Sequence, residues 1–128
     1  MVRLTTAVLA SVALVAMTSP AFADPVSVDL ADSQAQGDMG TAHNSTDGEY
    51  IGCAVNAPAY ADSPMVICQA RDGAGNFGLC FSTNPILIAA AESMTTVSEI
   101  AFAWDSNQSC TSLLIGNYSQ PPGRNTSP

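Results

Sequence analysis

Short apolar runs alternate with turn-forming residues through the middle of the chain. The three runs occupy residues 50–55, 65–70 and 77–82. The segments between them contain Pro58, Pro64 and the sequence Asp-Gly-Ala-Gly-Asn at 72–76. This pattern is typical of β-strands separated by turns. Because the second connection is short and holds two glycines that can adopt positive φ, we expect the second and third strands to form an antiparallel hairpin.

A helix is predicted immediately after these strands. Asn84 is a good N-cap residue, and Pro85 suits the first helical position. Residues 86–94 combine strong helix formers with few polar side chains, so the helix is expected to be well buried. The β-branched residues and serine at 95–98 predict its end.

The region that follows the helix predicts a second hairpin. Residues 99–104 alternate strictly, and one face of this strand carries the large side chains Ile100, Phe102 and Trp104. A turn and a last strand at 110–117 complete the hairpin. If Trp104 lies opposite Cys110, Phe102 lies opposite Ser112 and Ile100 opposite Leu114. The aromatic side chains and Cys110 would then share the face that the helix covers.

These elements predict an α+β fold for a small disulfide-stapled domain at residues 50–118. A three-stranded meander, one helix and a hairpin follow in the order β-β-β-α-β-β, with the helix on one face of a largely antiparallel sheet. Residues 24–49 are polar and acidic and predict a flexible lead-in, in which the alternation at 26–30 would allow one short edge strand. Residues 119–128 predict a disordered tail.

The first 23 residues have the composition of a secretory signal peptide. Arg3 precedes an uncharged apolar run at 4–17, which is followed by helix-breaking residues and by Ala21-Phe22-Ala23. The apolar run is shorter than the roughly 20 residues that a membrane-spanning helix needs. We therefore expect cleavage before Asp24 and export, to an extracellular or periplasmic location.

All four cysteines lie after this leader, and an even number in an oxidising compartment predicts two disulfides. They are Cys53, Cys68, Cys80 and Cys110. Their spacing contains no C-x2-C or C-x4-C pair, which argues against a zinc or iron–sulfur site. We expect no metal and no other cofactor.

The strand pattern restricts how these cysteines can pair. In a hairpin centred on Ala74, Cys68 lies opposite Cys80, and a second hairpin centred between Tyr60 and Ala61 places Cys53 opposite Cys68. Cys53 and Cys80 are then two strand spacings apart, about 9.5 Å, which is too far for a disulfide. Two pairings remain open: Cys53–Cys68 with Cys80–Cys110, which we prefer, and Cys68–Cys80 with Cys53–Cys110.

The net charge of the chain limits the classes of macromolecule that we expect it to bind. All eleven acidic residues but only Arg71 and Arg124 follow the leader, which leaves a net charge of −9 with His43 neutral. Nucleic acids and anionic membrane surfaces both require cationic side chains, so neither is an expected partner. A basic extracellular protein is the partner that this charge favours.

No group of residues forms a catalytic motif. The only histidine, His43, lies in the flexible polar lead-in, and the cysteines that could act as nucleophiles are better explained as disulfides. The carboxylates Glu92, Glu99 and Asp105 fall on a predicted helix, strand and turn, without evident convergence. Asp72 and Asn76 could supply calcium ligands, but a glycine-rich hairpin turn explains the same residues.

We therefore expect a secreted, non-enzymatic binding or inhibitor module that presents turns on a stapled scaffold. The residues that would contact the partner lie in or beside the two connections of the meander: Tyr60, Arg71, Asp72, Asn76 and Phe77. The alternative is a structural or envelope-associated protein that self-assembles through open strand edges. A secreted hydrolase that uses His43 or Glu92 is the third hypothesis.

Overall fold

Two antiparallel sheets and two helices form the domain. The structure is a computed structural model and describes residues 24–117, so the predictions for residues 1–23 and 119–128 lie outside the described residues. The elements are β1 Ser27–Asp29, β2 Gln34–Asp38, α1 Met39–His43, β3 Tyr50–Asn56, β4 Met65–Arg71, β5 Phe77–Ser82, α2 Pro85–Glu92, β6 Glu99–Trp104 and β7 Cys110–Gly116. The α+β class and the stapled architecture are confirmed. In the described range, neither helix is long and apolar enough to cross a membrane.

The three-stranded sheet has the order β3-β4-β5 and the register predicted for the meander. Cys68 lies opposite Cys53 on one side and opposite Cys80 on the other. The disulfides are Cys53–Cys68 and Cys80–Cys110, so the preferred pairing is confirmed. The second disulfide joins β5 of this sheet to β7 of the other sheet, and disulfides of this kind indicate an oxidising, extracellular-type environment.

The remaining strands form a separate sheet with the order β1-β2-β6-β7, and this differs from the single sheet that was predicted. Residues 24–49, expected as a flexible lead-in that would allow one short edge strand at 26–30, contribute that edge strand as β1 and also β2 and α1. The sequence pattern missed β2 because its inward residues, Ala35 and Gly37, are small rather than large and apolar. A Cβ on Gly37 would lie only 2.9 Å from the Cα of Val26, so the small residue is required by close packing.

A β-bulge changes the predicted register of the second hairpin. Trp104 lies opposite Cys110 as expected, but Phe102 pairs with Leu113 and Ile100 with Ile115. The register shifts between Ala103 and Trp104, so β7 has one extra residue there. This shift turns Leu113 and Ile115 toward the core and leaves Leu114 51 % exposed. Burial of two large side chains instead of one explains why the bulged register is favoured.

Helix α2 begins as predicted but is less buried than expected. The side chain of Asn84 accepts a hydrogen bond from the backbone N–H of Ile86, and Pro85 occupies the first turn. Only Ile88 and Ala91 are buried, whereas Ile86 is 75 % exposed. The helix is apolar on all sides, but it contacts the rest of the domain along one side only. Its other sides therefore stay exposed.

The core lies between the inner faces of the two sheets. Its large, fully buried side chains are Phe102, Ile100, Val66, Cys68 and Cys80. Leu87, Ile88 and Ala91 of α2 pack against the same cluster. Since the core lies on the inner side of the three-stranded sheet, the opposite face of that sheet points away from the core.

Candidate binding face

The outer face of the three-stranded sheet is the candidate functional site. Successive side chains of a strand point to opposite faces, and the cysteine row defines the inner one. We call the residues on the other side the β3–β5 face: Tyr50, Gly52, Ala54, Asn56, Met65, Ile67, Gln69, Arg71, Phe77, Leu79 and Phe81. The register places them in rows across the three strands, so they form one continuous surface.

One end of this face carries two aromatic residues at the register positions on either side of an arginine. Arg71 lies opposite Tyr50 on β3 and opposite Phe77 on β5. The rings of Tyr50 and Phe77 lean toward each other, with centroids 6.4 Å apart and planes inclined by 57°. Tyr50 is 38 % and Phe77 44 % exposed, and Arg71 is also exposed. The row therefore offers apolar area and hydrogen-bond donors to solvent.

The middle of the face continues as an apolar surface. Ile67, Leu79, Phe81 and Met65 are half-buried there. Within residues 24–117, none of these four side chains belongs to the buried core or to the partly buried residues that pack against it. These four side chains lie on the side of the sheet opposite the core cluster.

The distribution of charge distinguishes this face from the remaining surface. Residues 24–117 contain eleven acidic residues, and none of them lies on the β3–β5 face. Arg71 is the one arginine or lysine in that range and lies at the end of the face. Protein interfaces are enriched in aromatic residues, Met and Arg and depleted of Asp, Glu and Lys. The composition of the face fits that description.

The turn between β4 and β5 holds this end of the face in place. The carboxylate of Asp72 accepts hydrogen bonds from the backbone N–H groups of Ala74 and Asn76, at 3.1 and 2.9 Å, and from the side-chain amide of Asn76, at 2.9 Å. A weaker bond from the N–H of Val28, at 3.4 Å, links the turn to the other sheet. Gly75 has a φ of +90°, which explains the glycine. The sequence favoured a hairpin turn over a calcium site for Asp72 and Asn76, and the carboxylate hydrogen-bonds within that turn.

The same hydrogen bonding recurs in the β6–β7 turn. The Asp105 carboxylate accepts bonds from the N–H groups of Asn107 and Ser109, at 2.8 and 3.0 Å. The position that corresponds to Gly75 is Gln108, with a φ of +60°. The carbonyl of Gln108 also accepts a bond from the N–H of Phe81, at 2.9 Å, so this turn joins the edge of the three-stranded sheet. An aspartate at the first position of each turn is the sequence feature that could have identified the shared geometry.

Four of the five predicted contact residues lie together. Arg71, Asp72, Asn76 and Phe77 are at one end of the sheet, in the β4–β5 turn and the strands beside it. Tyr60 is 91 % exposed, but it lies in the β3–β4 connection at the opposite end. The two ends are about 20 Å apart, the length of a seven-residue strand. Sequence reasoning missed Tyr50, Ile67, Leu79 and Phe81, which share the face with Arg71.

The remaining candidate residues from the sequence are His43, Glu92 and the cysteines. His43 is the last residue of α1 and is exposed, and Glu92 is the last residue of α2 and is exposed. The sulfurs of Cys68, Cys80 and Cys110 lie within 4.8 Å of one another, the spacing of a thiolate metal site. All four cysteines are disulfide-bonded, so these sulfurs are not available as thiolate ligands in this form.

A second surface feature is an open hollow of about 410 Å³ on the outer face of the four-stranded sheet. Ala101 and Ala103 line it together with polar residues, among them Gln34, Gln36 and Ser112. It has no aromatic residue other than Phe102, whose side chain is buried on the inner side. Small and polar residues are expected on the solvated face of an antiparallel sheet.

No known protein family, curated protein or solved structure matches this chain. The chemistry of the β3–β5 face is therefore the basis for inferring a function.

The Asp72 turn predicts a pH dependence of stability. Hydrogen bonds, of which the strongest contribution comes from the Asn76 side chain, lower the pKa of Asp72 below its ordinary value of 3.8. The charged Asp72 carboxylate therefore stabilises the fold at pH values above the pKa that Asp72 has in the unfolded chain. This stabilisation is lost as the pH falls below 4, through the lower pKa that Asp72 has in the folded protein. Asp72→Asn should remove this pH-dependent part of the free energy of unfolding, which amounts to about 1 kcal/mol or less because the carboxylate is solvated. Denaturant titrations at several pH values, with Asp62→Asn as the control, measure the difference; parallel acid limbs in wild type and Asp72→Asn would contradict it.

Proposed function

We propose that the chain is an exported, non-enzymatic binding module whose interface is the β3–β5 face. The observation that carries this proposal is the location of Arg71 on an apolar face opposite the core and without acidic residues, in a domain where acidic residues outnumber basic ones eleven to one. Tyr and Arg are among the residues that contribute most to binding energy at interfaces. The disulfides keep the sheet rigid, which lowers the entropic cost of binding.

The size of the face favours an extended segment of a partner over a large globular surface. Three strands span about 14 Å and seven residues about 20 to 24 Å. The resulting outline of about 300 Å² is well below the roughly 800 Å² that each side of a standard interface buries. We infer that the partner contributes one peptide segment of apolar and aromatic residues.

Arg71 defines the polar contact within that segment. A guanidinium at the end of an apolar face suits a carboxylate, which it binds through two parallel hydrogen bonds. The eleven acidic residues elsewhere attract a partner of net positive charge during encounter, as the sequence suggested. The proposed partner is therefore an exported basic protein whose contact segment presents apolar side chains and one carboxylate to the β3–β5 face.

Selection of random displayed peptides on the immobilised domain tests this function. We expect enriched peptides to contain aromatic or aliphatic residues together with Asp or Glu. Arg71→Glu and Phe77→Ser should each weaken their binding by about 30-fold, the effect of losing about 2 kcal/mol at a hot spot. Arg71→Lys retains the charge but loses the planar fork, so it should weaken binding less than Arg71→Glu.

The matched control is Gln36→Glu, which introduces an acidic residue on the outer face of the four-stranded sheet. It should leave peptide affinity unchanged. Selected peptides that bind Arg71→Glu, Phe77→Ser and wild type equally would rule out the face as the interface. Correct folding of each variant is checked by its amide NMR spectrum.

Self-association through the same face is the second candidate function, because an apolar face opposite the core can also dock on its own copy. Two copies each carry ten more acidic than basic residues in the described range, so their repulsion opposes this association at low salt. Sedimentation at rising protein and salt concentration distinguishes the candidates. A dimer that forms in wild type and disappears in Phe77→Ser would favour self-assembly over the peptide-binding function.

A further inference from the structure

The two disulfides lie in contact and form one cluster of four sulfurs. Cys68 is bonded to Cys53, and its sulfur lies within 4.8 Å of the sulfurs of Cys80 and Cys110. Cys68 and Cys80 are also directly opposite each other in the β4–β5 register. A thiolate formed at Cys68 would therefore be held beside the neighbouring disulfide by the strands themselves.

Cys53 is the most exposed of the four cysteines. Cys68 and Cys80 are 0 % exposed and Cys110 is 8 % exposed, whereas Cys53 is only half-buried, on the edge strand β3. Thiol–disulfide exchange requires access of a thiolate to one of the two sulfurs. An external thiolate is thus directed to Cys53, and Cys68 becomes the leaving group.

We propose that Cys53 is a site of S-thiolation by a small thiol, and that this modification drives disulfide exchange inside the domain. The external thiolate forms a bond to the Cys53 sulfur, the Cys53–Cys68 bond breaks, and the electron pair remains on Cys68. The Cys68 thiolate then attacks Cys80, the Cys80–Cys110 bond breaks, and Cys110 leaves as a thiolate that takes up a proton. One mixed disulfide, one internal disulfide and one thiol result, so the numbers of disulfides and thiols are unchanged and the exchange needs no oxidant or reductant.

The exchange changes which parts of the fold are covalently joined. Before it, Cys80–Cys110 links the two sheets. After it, Cys68–Cys80 links β4 and β5 within one sheet, and β7 has no covalent link to that sheet. S-thiolation at Cys53 would therefore loosen the contact between the sheets, and this inference does not depend on the binding function of the β3–β5 face.

Limited treatment of the wild-type protein with reduced glutathione tests the proposal. Samples are quenched with acid, alkylated and mapped by peptide mass spectrometry. We expect the first product to carry glutathione on Cys53, a Cys68–Cys80 bond and an alkylated Cys110. A first product in which Cys80–Cys110 remains intact, or in which Cys68 is bonded to Cys110, would overturn the proposal.

Cys53→Ser tests the internal step without an external thiol. This variant has a permanent thiol at Cys68, which should displace Cys110 and yield Cys68–Cys80. The thiolate fraction rises tenfold per pH unit below the thiol pKa, so exchange should be about tenfold faster at pH 7 than at pH 6. Persistence of Cys80–Cys110 at both pH values in the folded variant would contradict the relay; if the variant does not fold, the wild-type mapping decides.

Discussion

Removal of the Cys80–Cys110 disulfide, by replacing both cysteines with alanine, is expected to lower the free energy of unfolding by about 3 to 4 kcal/mol. The bond closes a separation of 30 residues and joins β5 of one sheet to β7 of the other. Without it, the unfolded chain regains the entropy of the open loop, and the two sheets are held only by apolar contacts and a few hydrogen bonds, such as that from the Phe81 N–H to the Gln108 carbonyl. The loss is a large fraction of the 5 to 15 kcal/mol typical of a small domain.

The second disulfide supplies the comparison. Cys53–Cys68 closes a separation of 15 residues within one sheet, and halving a loop reduces the closure term by only about 0.6 kcal/mol. The double alanine variant of Cys53 and Cys68 should therefore lose slightly less stability, and it should retain the link between the sheets. Urea titrations of both variants measure the two losses. A smaller loss for the Cys80–Cys110 pair than for Cys53–Cys68 would contradict the view that the inter-sheet bond matters more.

Phe102→Ala is expected to cost about 3 to 5 kcal/mol, because it removes a large side chain that the two sheets bury between them. Phe102 is 2 % exposed and contacts the ring of Trp104, with centroids 5.6 Å apart. Trp104 in turn covers Gly78, where a Cβ would approach the indole ring to 2.7 Å. The cavity left by Phe102 therefore lies in a closely packed part of the core that has little room to collapse.

Leu114→Ala is the matched control for this prediction. Leu114 lies one position away from the Phe102 partner Leu113, but it points outward and is 51 % exposed. Its truncation should change stability by no more than about 0.5 kcal/mol. Equal losses for the two variants in urea titrations would mean that the bulged register of β7, which sets these opposite orientations, is wrong.

The sequence predicted the meander, its cysteine register and the start of α2 because each has a strong local determinant. Turn residues at 72–76 fix the centre of one hairpin, and Asn84 with Pro85 marks the helix start. The disulfide pairing followed from the same register, apart from a choice between two pairings that loop entropy could not decide. The structure decides it through the packing of β7 against β5, which is a tertiary property.

The sequence could not predict the features that depend on contacts between distant segments. β2 has little apolar character and exists because β6 pairs with it and Val26, just before β1, packs closely on Gly37. The bulge in β7 follows from the burial of Leu113 and Ile115, which the local pattern around Thr111 does not reveal. Formation of two sheets in place of one likewise depends on where residues 24–38 pair.

The candidate site was only partly predictable for the same reason. Arg71 and Phe77 were identified because they border a turn, whereas Tyr50 belongs to a different strand and meets them only through the register of β3. The apolar residues of the outer face, such as Ile67 and Leu79, are indistinguishable from core residues in the sequence. The structure distinguishes them from core residues because it places the core on the other side of the sheet.

NMR titration of the ¹⁵N-labelled domain with a selected peptide tests most directly the central claim that the β3–β5 face is the binding interface. The account predicts that amide shift changes concentrate on the β3–β5 face, with the largest at Tyr50, Arg71 and Phe77, and that Phe77→Ser abolishes them at the same peptide concentration. Shift changes centred on Gln34, Gln36 and Ala101 of the four-stranded sheet, with the β3–β5 face unperturbed, would contradict it.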